Sequence, residues 1–86
     1  MHEVGLVRDL IRKADAVVAD GGADRAAVVT VRVGAMSHIS ADHLRGHFTE
    51  IATGTAVEGA ELVVETGEDI TAPEAMDLIL VSVELA

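Results

Sequence analysis

The hydrophobic period of this chain alternates between about 3.6 and 2, and that alternation decides what it can build. From Val4 to about Ala19, Val7, Leu10, Ile11, Ala14, Val17 and Val18 recur at three- and four-residue spacing, while Arg8, Asp9, Arg12, Lys13 and Asp15 occupy the other side. This is the pattern of an amphipathic helix. Asp20-Gly21-Gly22 closes it, because glycine accepts the left-handed conformation used at helix carboxyl ends. The period then drops to 2. Val29, Val31 and Val33 share one face of a segment from Val28 to Gly34, against Val28, Thr30 and Arg32 on the other, so a strand follows. Ser40 reads as the cap of a second helix running to Thr53, with Asp42 in its first turn and Leu44, Phe48, Ile51 and Ala52 along one side. Ala60 to Glu65 alternates Leu62 and Val64 against Glu61, Val63 and Glu65, and Leu78 to Leu85 is the strongest strand signal in the chain.

Between the last two strands, Thr66 to Asp77 reads as a polar connection. Thr71, Pro73 and Glu74 there match the capping pattern of a short helical turn. Two helices and three strands, ordered helix–strand–helix–strand–strand, predict an α/β (α+β) two-layer sandwich in which both helices pack on one face of a three-stranded sheet. Residues 1–86 are expected to form a single domain. Its core has little aromatic bulk to draw on, since the apolar half of the chain is 14 Ala, 13 Val, 7 Leu, 5 Ile, 3 Met and one Phe.

The last strand raises a question about the other sheet face. Ile79, Val81, Val83 and Leu85 share one parity and Leu78 and Leu80 the other, so a regular strand would leave apolar residues pointing away from the helices. Either a bulge shifts the parity partway along, or a few Val and Ile are simply tolerated in exposed positions, or a second chain or other partner covers that face, as in a homo-oligomer through the second sheet face.

Charge narrows the function classes. The net charge is −9, and all six basic residues fall before position 46, leaving nine acids and no base in residues 46–86. No basic stripe exists with which to bind nucleic acid or an anionic membrane. The acidic half serves either as a solvated surface or as a docking face for a basic partner. No apolar run reaches the eighteen or so residues of a membrane helix, and no signal-peptide pattern opens the chain, so the cytoplasm is the expected compartment. Without cysteine there are no disulfides, thiol nucleophiles or cysteine-based zinc sites. Ser37 and Ser40 lack a nucleophile-elbow setting, and the glycines form no phosphate-binding pattern, so no catalytic residue is assigned and an enzyme is not expected.

What chemistry remains is concentrated in histidine. In Met1-His2-Glu3, a free α-amine, the deprotonated amide nitrogen of His2 and its imidazole close adjoining chelate rings around one ion, and the Glu3 nitrogen can complete a plane. Four nitrogens in a plane suit Ni(II) or Cu(II) rather than Zn(II) or Mg(II). The Glu3 carboxylate can also accept from an imidazole N–H. The competing reading is an ordinary frayed terminus. His43 and His47 stand at i and i+4 on the second helix, a spacing that lets two imidazoles share an ion, although such pairs are more often simply solvated. His38 lies in the strand-to-helix turn.

Met-His-Glu before an amphipathic helix, Val-Arg-Val-Gly-Ala-Met-Ser at 31–37, Gly-Thr at 54–55, Glu-Gly-Ala-Glu-Leu at 58–62 and Leu-x-Leu-x-Ser-Val-Glu-Leu at 78–85, in that order, resemble the HypA/HybF nickel metallochaperones of hydrogenase maturation. The resemblance implies a nickel-binding accessory protein that delivers Ni(II) to a hydrogenase or similar enzyme. His2 would be the essential nickel ligand, with Met1 and Glu3 supplying neighbouring nitrogens. The implied partners are a HypB-type GTPase and the hydrogenase large subunit. Members of that family normally carry a zinc ribbon with paired Cys-x-x-Cys motifs between the last two strands. Here only the cysteine-free segment 66–77 stands in that place, so no structural zinc is expected and the connection should make a simple hairpin-like return. The other reading is a metal-free interaction or regulatory module of the same fold.

Overall fold

In the computed structural model, residues 3–37, 39–68, 71 and 77–86 are described; the side chain of Glu3 is not among them. The elements are α1 (Glu3–Asp20), β1 (Ala26–Val33), α2 (Ala41–Ile51), β2 (Glu61–Thr66) and β3 (Leu78–Leu85). The helical turn expected around Thr71, Pro73 and Glu74 falls largely outside the described residues.

Each element forms where its sequence favours it. At the end of α1, the Ala23 amide donates to the Val18 carbonyl at 3.2 Å and the Gly22 amide to the Ala19 carbonyl at 3.0 Å. Those are the two bonds of a Schellman cap, and they require the residue between them to be left-handed. Gly22 supplies it, with φ +71°. The Ser40 side chain accepts the His43 amide at 3.1 Å and so caps α2 as its sequence indicates.

β1 is the middle strand of a sheet ordered β2-β1-β3, parallel to β2 and antiparallel to β3. Val29, Val31 and Val33 form its buried stripe, and Val7, Leu10, Ile11, Ala14 and Val18 of α1 and Leu44 and Phe48 of α2 close over it as one core. Both helices therefore share a face, as expected. Val57 and Ala52, in the turns after α2, complete the packing. Each buried Val, Leu, Ile or Phe among them contributes about 1.5–3 kcal/mol relative to exposure, and each alanine less.

The expected hairpin-like return does not form. β2 and β3 lie on opposite sides of β1, so the connection between them crosses the end of the central strand instead of turning back on its neighbour. It is fastened at both ends. The Gly67 amide donates to the Val33 carbonyl and the Gly34 amide to the Asp77 carbonyl, each at 2.8 Å. β3 takes the free edge of β1 rather than the outer edge of β2, and there Leu78, Leu80 and Val83 pack against the core.

The parity of the last strand is explained by a bulge. Thr30 pairs with Ser82 but Val31 pairs with Leu80, so Val81 is an extra residue on β3. Leu78 and Leu80 before it, and Val83 after it, consequently stand opposite Val33, Val31 and Val29 on the core side. A matching irregularity lies between Ala26 and Val28 of β1, which lets Ala26 and Val29 both be buried. The outward face carries Val28, Thr30, Arg32, Glu61, Val63, Glu65, Ile79, Ser82 and Glu84, and Arg32 meets Glu65 across the strands at 3.0 Å. That exposed pair is worth about 0–1 kcal/mol.

Leu44 is fully buried, so Leu44→Ala should destabilise the domain by about 2–5 kcal/mol in urea denaturation. Val81→Thr, at a bulge residue 42% exposed, should change stability by no more than about 0.5 kcal/mol.

Candidate metal centre

The direction of each element fixes where the terminus of the chain attaches. Leu6 and Leu10 of α1 line a groove with Leu78, Ile79 and Leu80 at the start of β3, and Gly21, just past the other end of α1, lies against the Leu85 side chain. Hence α1 runs alongside β3 in the same direction, antiparallel to β1. As the crossover between two parallel strands, α2 also runs back against β1. Both helices therefore begin at the end of the sheet where β1 and β2 finish and β3 starts. The turn at 34–37 and both anchors of the β2–β3 connection are at this end too.

Of the residues expected to hold metal, Met1 and His2 lie outside the described residues, and Glu3 is described only as the first backbone position of α1. That position matters to the chemistry. The first four N–H groups of an α-helix have no intrahelical acceptor. A metal that displaced the Glu3 amide proton would thus break no hydrogen bond of the helix. His38 is also outside the described residues. His43 and His47 are brought together on one side of α2, the first exposed and the second half-buried. No group of three or more His, Asp or Glu side chains suited to a metal occurs among the described residues.

The groove beside this terminus is edged by charge. Asp9, Lys13 and Asp77 flank the apolar Leu6, Leu10, Leu78 and Leu80. Asp9 accepts from Arg12 and pairs with Lys13 at 3.1 Å, contacts at i,i+3 and i,i+4. The hydrogen bond from Lys13 is the main cause that holds the Asp9 carboxyl below its ordinary range. The serines considered as nucleophiles both serve the backbone: the Ser37 hydroxyl donates to the Gly34 carbonyl at 2.9 Å, and Ser40 caps α2.

One functional-looking contact had no signal in the sequence. Arg45 leaves the exposed side of α2 and donates to the carbonyl of Leu62 on the edge strand β2. A lone arginine in a helix gives no hint of a partner 17 residues on. Among the described residues, no helix is long and apolar enough to cross a membrane.

Comparison with known proteins gives a consistent result. A family model described as hydrogenase/urease nickel incorporation, metallochaperone, hypA, matches residues 1–72. A hydrogenase maturation factor HypA of Chloroflexus aurantiacus (strain J-10-fl) is 38% identical over 65 residues, covering 76% of this chain and 57% of that protein. The one of Deinococcus radiodurans is 40% identical over 65 residues, covering 76% and 54%. The chain thus spans little more than half the length of these relatives. The solution structure of the Ni metallochaperone HypA from Helicobacter pylori superposes with a TM-score of 0.83 over 99% of this chain and 97% of that one, at 17% identity, a likeness of fold.

Because the folded Asp9 value lies below the unfolded one, its ion pairs add stability at neutral pH, and this is lost as pH falls through the folded midpoint. An NMR titration should place that midpoint below the ordinary carboxylate range, and Lys13→Ala should move it back up.

Proposed function

The chain belongs to the HypA family of nickel-incorporation metallochaperones, and from that premise we propose that it holds one Ni(II) at Met1-His2-Glu3 and passes it to a client metalloenzyme. The observation that carries this reading is a family match that begins at residue 1 and so takes in the Met-His-Glu segment. The residues fit the ion. An amine, an imidazole and amide nitrogens make a planar, nitrogen-rich donor set, which suits Ni(II) and, at least as well by the general affinity order, Cu(II). Selectivity then rests on metal availability and on partners.

Transfer follows from the same geometry. A site at the tip of a chain can exchange its nitrogens one at a time for those of an incoming acceptor. A closed cage of side chains would have to open first. The acceptors in this reading are a HypB-type GTPase and the hydrogenase large subunit, encountered in the cytoplasm. The cysteine-free connection after β2 offers no thiolate ligands for a cysteine-based zinc site.

Native-terminus protein should bind one Ni(II) and develop the yellow, diamagnetic spectrum of a square-planar complex. Affinity should rise with pH through the range of about 6.5 to 8, as the imidazole and the amine lose their protons. An amino-terminally extended form and His2→Ala should each lose that complex in calorimetric and absorption titrations. Unchanged binding in His2→Ala would falsify the assignment.

A further inference from the structure

The described residues contain two histidines, His43 and His47, and both stand on α2 one turn apart. α2 is a continuous helix over Ala41–Ile51 whose first turn is pinned where Ser40 accepts the His43 amide. The i,i+4 spacing in such a helix sets the two Cβ atoms about 5–6 Å apart on one face, which is the arrangement that lets two imidazoles meet one ion. Their flank is also clear of the sheet. Leu44 and Phe48 fill the core, and Arg45, on the far side of Leu44, crosses to β2. His43 and His47 each precede one of the core residues, so they occupy the opposite flank from Arg45. His47 is half-buried, which restricts its ring, whereas His43 is exposed and can swing onto an ion.

We propose that His43 and His47 form a bis-imidazole clamp for a divalent transition-metal ion, separate from the terminal site. Imidazole suits zinc, copper and nickel alike. Among the described residues, no group of three or more His, Asp or Glu side chains suited to a metal occurs, so the proposal assigns the pair two imidazole ligands and no further side chain. His43 is the third residue of α2, and α2 begins at the same end of the sheet as α1. The clamp therefore opens at the end of the molecule where the chain enters its first helix. It goes beyond the terminal-nickel reading and does not depend on it.

Zinc(II) alone is the probe that separates the two sites, since it favours tetrahedral imidazole coordination over the planar amide set. Zinc titrated into the intact chain should shift the ring nitrogens of His43 and His47 together in imidazole NMR spectra, saturating at one ion per chain. His43→Ala and His47→Ala should each weaken zinc binding by at least about tenfold, since even outer-shell partners of a metal are worth that much. His2→Ala should retain it, and zinc should raise the melting temperature of His2→Ala but not of His43→Ala. Zinc affinity unchanged in both single variants, or ring shifts absent from the pair, would overturn the clamp. Loss of the square-planar nickel complex in His43→Ala would also overturn it, because the two sites would then be one. Failure of nickel to bind at the terminus while zinc still bridges the pair would remove only the functional reading.

Discussion

The structure depends on a strip of three valines. Val29, Val31 and Val33 on the central strand are the surface on which both helices close, and each is less than 5% exposed. With one phenylalanine and no other aromatic in the chain, no single large side chain can organise this interior. Small branched residues must interdigitate at high density instead. Their stiff side chains favour that, because a β-branched residue in a strand has little rotamer freedom left to lose. The two irregularities in the β1–β3 ladder serve the same end. By slipping one residue on each strand, they keep Ala26, Val29, Leu80 and Val83 on the inner face, where strict alternation would have turned half of them outward.

Local pattern carried most of the architecture. The helices follow from the spacing of Leu10, Ile11, Ala14 and Val18 and of Leu44 and Phe48. The strands follow from alternation, and the caps from Ser40 and the paired glycines. Sequence could pose the parity problem of Leu78 to Leu85 but could not choose between its solutions, because a bulge is defined only by the strand opposite. Strand order is likewise beyond the sequence. A short connection between β2 and β3 suggests a hairpin-like return, whereas β3 takes the free edge of β1, where Leu78, Leu80 and Val83 reach the core. The Arg45 contact was illegible because it joins surfaces that meet only after folding.

The candidate metal chemistry divides differently. The proposed site at Met1-His2-Glu3 is visible as chemistry in the bare sequence, since its candidate ligands are mostly backbone and adjacent atoms that need no fold to assemble them. What folding adds is the attachment: α1 starts at Glu3, so the proposed ligand set would join directly to a helix 18 residues long. The pair on α2 is the reverse case. His43 and His47 become neighbours only through helix formation, and their accessibility was decided by how Leu44, Arg45 and Phe48 orient that helix.

The way the β2–β3 connection is fastened bears on how much its length can vary. Its two ends are hydrogen-bonded at Val33 and Gly34, where β1 leaves the sheet, so the span between Gly67 and Asp77 is closed independently of what lies within it. Lengthening a flexible loop between fixed ends costs only about 0.6 kcal/mol per doubling. A longer insert between these two anchors can therefore be accommodated while the valine strip, both helices and the strand pairings stay as they are.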